Sequence, residues 1–304
     1  MTSIAVIDIG TQSTNVLVCD AQGKNLYRAV TATRLGDTLH ETGLISHDAM
    51  QRTTDQIVRH IEKAQQLGAT RIILTGTAAC RRAGNTTDFL EQVFRATGLH
   101  VEVLTEQQEA QLSFTGALSG LPRTEQSTVV IDIGGGSTEY IVGFESPEMS
   151  ASIPFGAVTA TSSHISGDPA PPEDLTNLLG AVADELEEVC RDIPALLTPG
   201  RVVGVAGTIV TMAAVEIGLA EFDDDVLNGF VLTKDAAEDV FRTLATENRN
   251  QRILNPGLPE DRGDIIVAGC CILVATMRRL HIDEIIVSTR NLLDGVMDRE
   301  RALS

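Results

Sequence analysis

The chain of 304 residues contains no Trp, two Tyr and eight Phe, so its cores must be assembled mainly from Val, Ile, Leu and Ala. Five cysteines, Cys19, Cys80, Cys190, Cys270 and Cys271, are an odd number with no short-range metal spacing. They read as buried free thiols in a reducing compartment. Basic residues are scarce: 23 Lys and Arg stand against 42 Asp and Glu, a net charge of −19. That balance leaves no broad basic face for a nucleic-acid polymer and makes any anion site a local exception. No window approaches the ~20 apolar residues of a membrane span. The N-terminus enters a strand at once, without a basic-plus-apolar leader. A cytoplasmic location without membrane association is the expectation. A P-loop, a His-Glu-x-x-His motif, a paired Cys-x-x-Cys and a Gly-x-Ser-x-Gly are all missing, and the six histidines are scattered. P-loop NTPase, metallohydrolase and serine-hydrolase chemistries thus lose their usual carriers.

What the chain has instead is one phrase used twice. Residues 7–14 read Ile-Asp-Ile-Gly-Thr-Gln-Ser-Thr and residues 131–138 read Ile-Asp-Ile-Gly-Gly-Gly-Ser-Thr; six of eight positions agree across 124 residues. In each copy an apolar run ends in Asp-Ile-Gly, small polar residues follow, and a second apolar run returns. That is a strand, a tight turn and a strand. Two such turns suggest two similar lobes facing each other, with a phosphate and a metal ion between them.

The surrounding pattern repeats as well. Residues 4–10, 15–20 and 25–33 predict a β-meander, followed by a helix over 47–67, a strand at 71–75, a helix over 86–97, an extended stretch at 101–104 and a helix over 106–118. The second copy restarts with strands at 129–133, 140–144 and 149–153. Pro171-Pro172-Glu173-Asp174 then opens a helix, since Pro suits its first turn and acids suit the positive end of its dipole. A strand at 202–205, helices to Gly218 and over 264–280, a strand at 285–287 and a helix over 292–302 complete the order. The expected fold is α/β, with two lobes of mixed sheet flanked by helices and a cleft between them. The boundary is placed where Ser119-Gly120-Leu121-Pro122 breaks a helix. The lobes are then 1–122 and 123–304, with the last helix able to pack back on the first.

Gly134, Gly135 and Gly136 are expected to free the backbone to enter φ > 0 and to bring main-chain N–H groups close to an anion, with Ser137 and Thr138 adding hydroxyl donors. Gly-Gly is also a favoured hairpin sequence. The parallel turn, Gly10, Thr11 and Ser13 around Gln12, favours phosphate binding. Asp8 and Asp132 end their strands beside these turns, where a carboxylate suits magnesium or simply caps turn amides. Glu139 follows the second turn, and Glu106 and Glu109 lie on a helix. Each could face a cleft and accept a proton, or could face solvent. Gly207 and Thr208 begin a helix and offer either an anion site or a plain N-cap. Arg81 and Arg82 follow a buried strand, positioned for phosphate or for a solvated face.

Taken in order, these segments resemble the actin-like ATPase superfamily, whose lobes are ribonuclease H-like, and within it the exopolyphosphatase / guanosine pentaphosphate phosphohydrolase family. The resemblance rests on Asp8-Ile-Gly-Thr-Gln-Ser, Arg34-Leu-Gly-Asp-Thr-Leu with Thr42-Gly43, and Thr77 through Arg81 to Ala83 and Asn85. It continues in Glu109-Ala110-Gln-Leu, Asp132-Ile-Gly-Gly-Gly-Ser-Thr-Glu139 and Ile153-Pro-Phe-Gly156-Ala-Val. Gly204 to Thr208 and Gly257-Leu-Pro-x-Asp-Arg262 through Gly269 complete it.

The resemblance implies that Glu109 is the base activating water and that Arg81 contacts the terminal phosphoryl group. It also implies that Asp132 and Glu139 serve magnesium binding and the acidic catalytic cluster; Asp8, from its strand-end position, is the further metal candidate, and manganese is the alternative ion. Its expected activity is release of terminal phosphate from inorganic polyphosphate. Guanosine pentaphosphate hydrolysis is the alternative, and a non-hydrolytic polyphosphate or nucleotide sensor is the alternative of another class. A kinase of the wider superfamily ranks lower. A homodimer is expected on the same ground. Gln108 and Gln111 stand where the family often has Glu and Arg. Asn291 and Leu293 depart from its Gly-Leu-Arg segment, which implies a missing basic contact near the channel. The chain ends where long relatives continue into a helical region that helps hold long polyphosphate, so a preference for shorter chains is expected.

Overall fold

The structure, a computed structural model, describes residues 3–303. The chain forms two compact units, residues 1–116 with 292–304, and residues 117–291. The division therefore falls earlier than the expected 122/123, inside the Glu106–Leu118 helix, and the Leu292–Ala302 helix counts with the first unit. The reason is packing. Leu293, Val296 and Met297 share a buried cluster with Ile4, Val6, Leu17 and Leu112. Ion pairs Arg28–Asp294 and Arg71–Glu300 fasten the same helix. Gly295 is required there, because a Cβ would run into the Leu112 carbonyl.

The first unit holds a five-stranded mixed sheet in the order β3-β2-β1-β4-β5. Its strands are β1 (Ile4–Ile9), β2 (Ser13–Cys19), β3 (Asn25–Ala32), β4 (Arg71–Gly76) and β5 (Val101–Val103). β1 to β3 form an antiparallel meander, while β1, β4 and β5 run parallel. Alternation along β1 sends Ala5, Ile7 and Ile9 to one face and Ile4 and Val6 to the other. Helices His47–Gln66 and Thr86–Thr97 cover the first face through Ala49, Ile57, Ala64, Phe89 and Val93. Ser46 starts the former by accepting a hydrogen bond at its hydroxyl from the Ala49 N–H.

The second unit repeats the plan. Its sheet runs β10-β11-β9-β6-β7-β8, with β6 (Thr128–Ile133), β7 (Thr138–Gly143), β8 (Pro147–Ile153), β9 (Arg201–Val205), β10 (Val231–Thr233) and β11 (Glu284–Val287). Meander β6-β7-β8 is followed by parallel β9 and β11, the same order as in the first unit, with β10 added at the edge. Its core is built around the Ile266–Arg279 helix, in which every residue from Ile266 to Met277 is buried. A Lys234–Thr246 helix, absent from the sequence-based order above, packs Ala237, Val240, Phe241 and Leu244 into this core. All five cysteines are free and buried. Among the described residues no helix is long and apolar enough to cross a membrane.

Candidate active site

In the first unit, β1 delivers Asp8 to the turn and β2 leaves it. The Gly10 N–H donates to the Ser13 carbonyl at 2.9 Å, so this amide serves the turn itself. A second segment braces the turn from behind: the N–H groups of Thr33 and Arg34 donate to the Gln12 carbonyl, and that of Gly36 to the Thr11 carbonyl. Asp8 is only 6% exposed and accepts a hydrogen bond from the Thr75 hydroxyl at 3.1 Å. Burial, and then the negative charge of Glu109, push the Asp8 carboxyl up to about 7 against that hydrogen bond. Asn15 stands opposite Asp8 in the strand register, and its Oδ1 is buried with no hydrogen-bond partner.

Glu109 lies in the first turn of the Glu106–Leu118 helix. Thr105 and Gln108 cap this helix reciprocally: the Thr105 hydroxyl accepts from the Gln108 N–H and Gln108 Oε1 accepts from the Thr105 N–H. Gln108 thus has a local structural role where the family often carries Glu. Arg81 sits in the short Ala78–Arg82 helix after β4, and its Nη1 donates to Glu109 Oε2 at 2.5 Å and to the Leu104 carbonyl at 2.9 Å. The structure therefore joins Arg81 and Glu109, residues that spacing alone leaves unconnected. Arg82 points to solvent, and Glu106 is exposed.

In the second unit, register pairs Asp132 with Glu139 across β6 and β7, directly beside the glycine turn. Glu139 Oε1 accepts hydrogen bonds from the hydroxyls of Ser137 and Ser152. The turn departs from expectation in its backbone: Gly134, Gly135 and Gly136 are not at positive φ. Close approach requires glycine at Gly156, whereas a Cβ on Gly136 would meet open space. The Gly134 N–H donates to the Ser137 carbonyl, and Gly156 lies so near the Gly135 and Gly136 backbone that a Cβ on it would collide there. Thr138 is fully buried and its hydroxyl donates to the Phe155 carbonyl at 2.6 Å, so that group is committed to the fold and not to an anion.

After β9 the chain enters the Ala206–Ile217 helix through Ala206 at φ 66, a left-handed conformation held by a non-glycine residue. Gly207 and Thr208 follow in the first turn, whose N–H groups lack intrahelical partners. Sequence reasoning assigned no role to Arg262, yet its guanidinium lies against Gly207, where any Cβ would displace it. Among the described residues this guanidinium makes no hydrogen bond or ion pair. Burial holds it below its ordinary range, against the opposing charge of Asp261. A desolvated cation beside the positive end of a helix is stabilised by an anion. Its signal in the sequence was the final residue of Gly257-Leu-Pro-x-Asp-Arg262.

A group of three or more His, Cys, Asp or Glu side chains arranged for a metal does not occur among the described residues. The oxygens present suit magnesium that keeps most of its shell as water and phosphate. The buried Asp8 carboxyl with the orphaned Asn15 oxygen is one such donor pair, and Asp132 with Glu139 is the other. A groove of about 700 Å³ between the His47–Gln66 and Thr86–Thr97 helices holds none of the candidate residues.

The chain is similar to known proteins along nearly its whole length. "Exopolyphosphatase 2" of Mycobacterium tuberculosis is 28% identical over 312 residues, covering 97% of this chain and 98% of that one. A "Guanosine-5'-triphosphate,3'-diphosphate pyrophosphatase" of Vibrio cholerae is 29% identical over 301 residues, covering 96% of this chain and 58% of its own. The crystal structure of the Aquifex aeolicus Ppx/GppA family member superposes with a TM-score of 0.83 at 30% identity, covering 99% of this chain and 98% of that one. The Ppx/GppA phosphatase family matches residues 16–302, and the chain belongs to it.

Proposed function

We propose that the protein is an exopolyphosphatase that releases terminal orthophosphate from inorganic polyphosphate by attack of water on the end phosphoanhydride. The observation that carries this reading is the Arg81–Glu109 contact. One guanidinium nitrogen holds the Glu109 carboxylate and the Leu104 carbonyl. The remaining N–H groups of the fork make no hydrogen bond among the described residues and suit a phosphoryl oxygen. Arg81 would thereby place the terminal phosphorus beside the carboxylate that takes the proton from water. The proposed phosphate donors are the backbone amides of Thr11–Ser13 in the first unit and, in the second, those of the Gly135–Ser137 turn with Gly207, Thr208 and Arg262. Bound magnesium, for which Asp132, Glu139 and Asp8 are the proposed carboxylates, supplies charge neutralisation at the phosphate oxygens. A cytoplasmic homodimer is proposed from the family likeness.

Glu109→Gln should lower kcat by ~10²-fold or more while leaving the melting temperature within a few degrees, because the amide still accepts from Arg81. Near-normal phosphate release by that variant would sink the assigned base. Guanosine pentaphosphate is the second reading, favoured by the Vibrio cholerae relative's name and its 29% identity. Phosphate release measured with both substrates at equal concentration separates the two. Saturable binding of either without release would identify a sensor.

A further inference from the structure

The net charge is unevenly divided. The first unit carries 12 Lys and Arg against 15 Asp and Glu, a balance of −3, whereas the second carries 11 against 27, a balance of −16. A long polyanion held at its end is repelled by the second unit's exterior and tolerated by the first. Arg34 stands on the tolerant unit. Its backbone is at φ 50, a left-handed conformation that strains a non-glycine residue.

That conformation is held from three sides. The Arg34 N–H donates to the Gln12 carbonyl of the first turn at 2.9 Å. Arg52 donates to the Thr33 carbonyl at 2.7 Å and to the Arg34 carbonyl at 3.3 Å. Two residues on, the Gly36 N–H donates to the Thr11 carbonyl at 3.0 Å. The outcome is an arginine whose backbone is anchored to the first turn and whose exposed side chain makes no hydrogen bond or ion pair among the described residues.

We propose that Arg34 is a distal subsite that binds the phosphates beyond those being cleaved, and so sets how strongly long polyphosphate is preferred over short. This rests on the polyphosphatase reading above. An exposed guanidinium–phosphate contact corresponds to a several-fold change in KM. Arg34 is here a specificity residue, so its effect belongs in KM for long chains and not in kcat.

The test compares KM for long-chain polyphosphate with KM for tripolyphosphate, which has no distal segment. Arg34→Gln and Arg34→Gly should each raise the long-to-short KM ratio roughly fivefold, and Arg34→Lys should recover part of it. Arg34→Gly should also raise the melting temperature, because glycine relieves the left-handed strain. A loss of long-chain preference in a more stable protein cannot come from damaged folding. Lys24→Gln is the control for bulk charge. Lys24 is exposed beyond the far end of β2, a seven-residue strand of roughly 23 Å, from the Gly10–Ser13 turn. Equal KM changes for both substrates, no change in the ratio, or an equal effect of Lys24→Gln would each overturn the subsite. Absence of phosphate release from either substrate by the unaltered protein would overturn the polyphosphatase reading instead.

Discussion

Asp8 offers a perturbation whose sign and size both follow from its surroundings. Its carboxyl, ordinarily at 3.8, is raised to about 7 by burial first and by Glu109 second. In the unfolded chain this group ionises near 3.8, whereas in the folded chain it keeps its proton up to about 7. Between those values the folded state binds the extra proton, so Asp8 makes stability fall as pH rises from about 4 to about 7. At ~1.4 kcal/mol per pH unit the accumulated cost is about 4 kcal/mol at pH 8, as an order-of-magnitude ceiling. Asp8→Asn removes the titration and keeps an acceptor for the Thr75 hydroxyl. The variant and the parent should have nearly equal urea midpoints at pH 4. At pH 8, in buffer free of divalent cations, the variant should be clearly more stable. A stability difference that does not grow with pH, or a variant less stable at pH 8, would refute the buried-carboxyl argument.

Two further outcomes are expected. Ala206→Gly relieves a left-handed alanine at φ 66 and should raise stability by about 1 kcal/mol, read as a shift of the denaturant midpoint. Leu293→Arg would install the basic residue that the family's Gly-Leu-Arg segment carries. Leu293 is only 2% exposed and packs in the cluster with Ile4, Val6 and Leu112, so the change should cost about 3 kcal/mol or more, measured by thermal unfolding, without a gain in phosphate release.

Much of the fold was legible because apolar periodicity and turn residues agree locally. The repeated Asp-Ile-Gly phrase marks the first hairpin of both meanders, and the matching strand orders 3-2-1-4-5 and 8-7-6-9-11 follow from it. The Lys234–Thr246 helix carries its own signals, a Thr233 cap and the stripe Ala237, Val240, Phe241 and Leu244, and was still absent from the sequence-based order. The site was legible by residue type and not by contact. Nothing local indicates that Arg81 and Glu109 meet, because the pairing is made by two helices that join only in three dimensions. The turn glycines are expected to supply positive φ and do not, whereas Gly156, which the sequence does not single out as a packing position, is fixed by its close approach to the Gly135 and Gly136 backbone. Thr138 reads as a donor to phosphate until Phe155, 17 residues later, claims its hydroxyl.

The Leu292–Ala302 helix closes one apolar face of the first sheet, yet residues 117–291 are synthesised before it. Until that segment leaves the ribosome, Ile4, Val6 and Leu17 have Leu104 and Leu112 beside them but lack Leu293, Val296 and Met297. The amino-terminal half must wait, half-dressed and sticky, while its successor matures. Premature termination between residues 116 and 292 should therefore yield an aggregating product and not a smaller working enzyme, and chaperone demand should concentrate on nascent chains of that length.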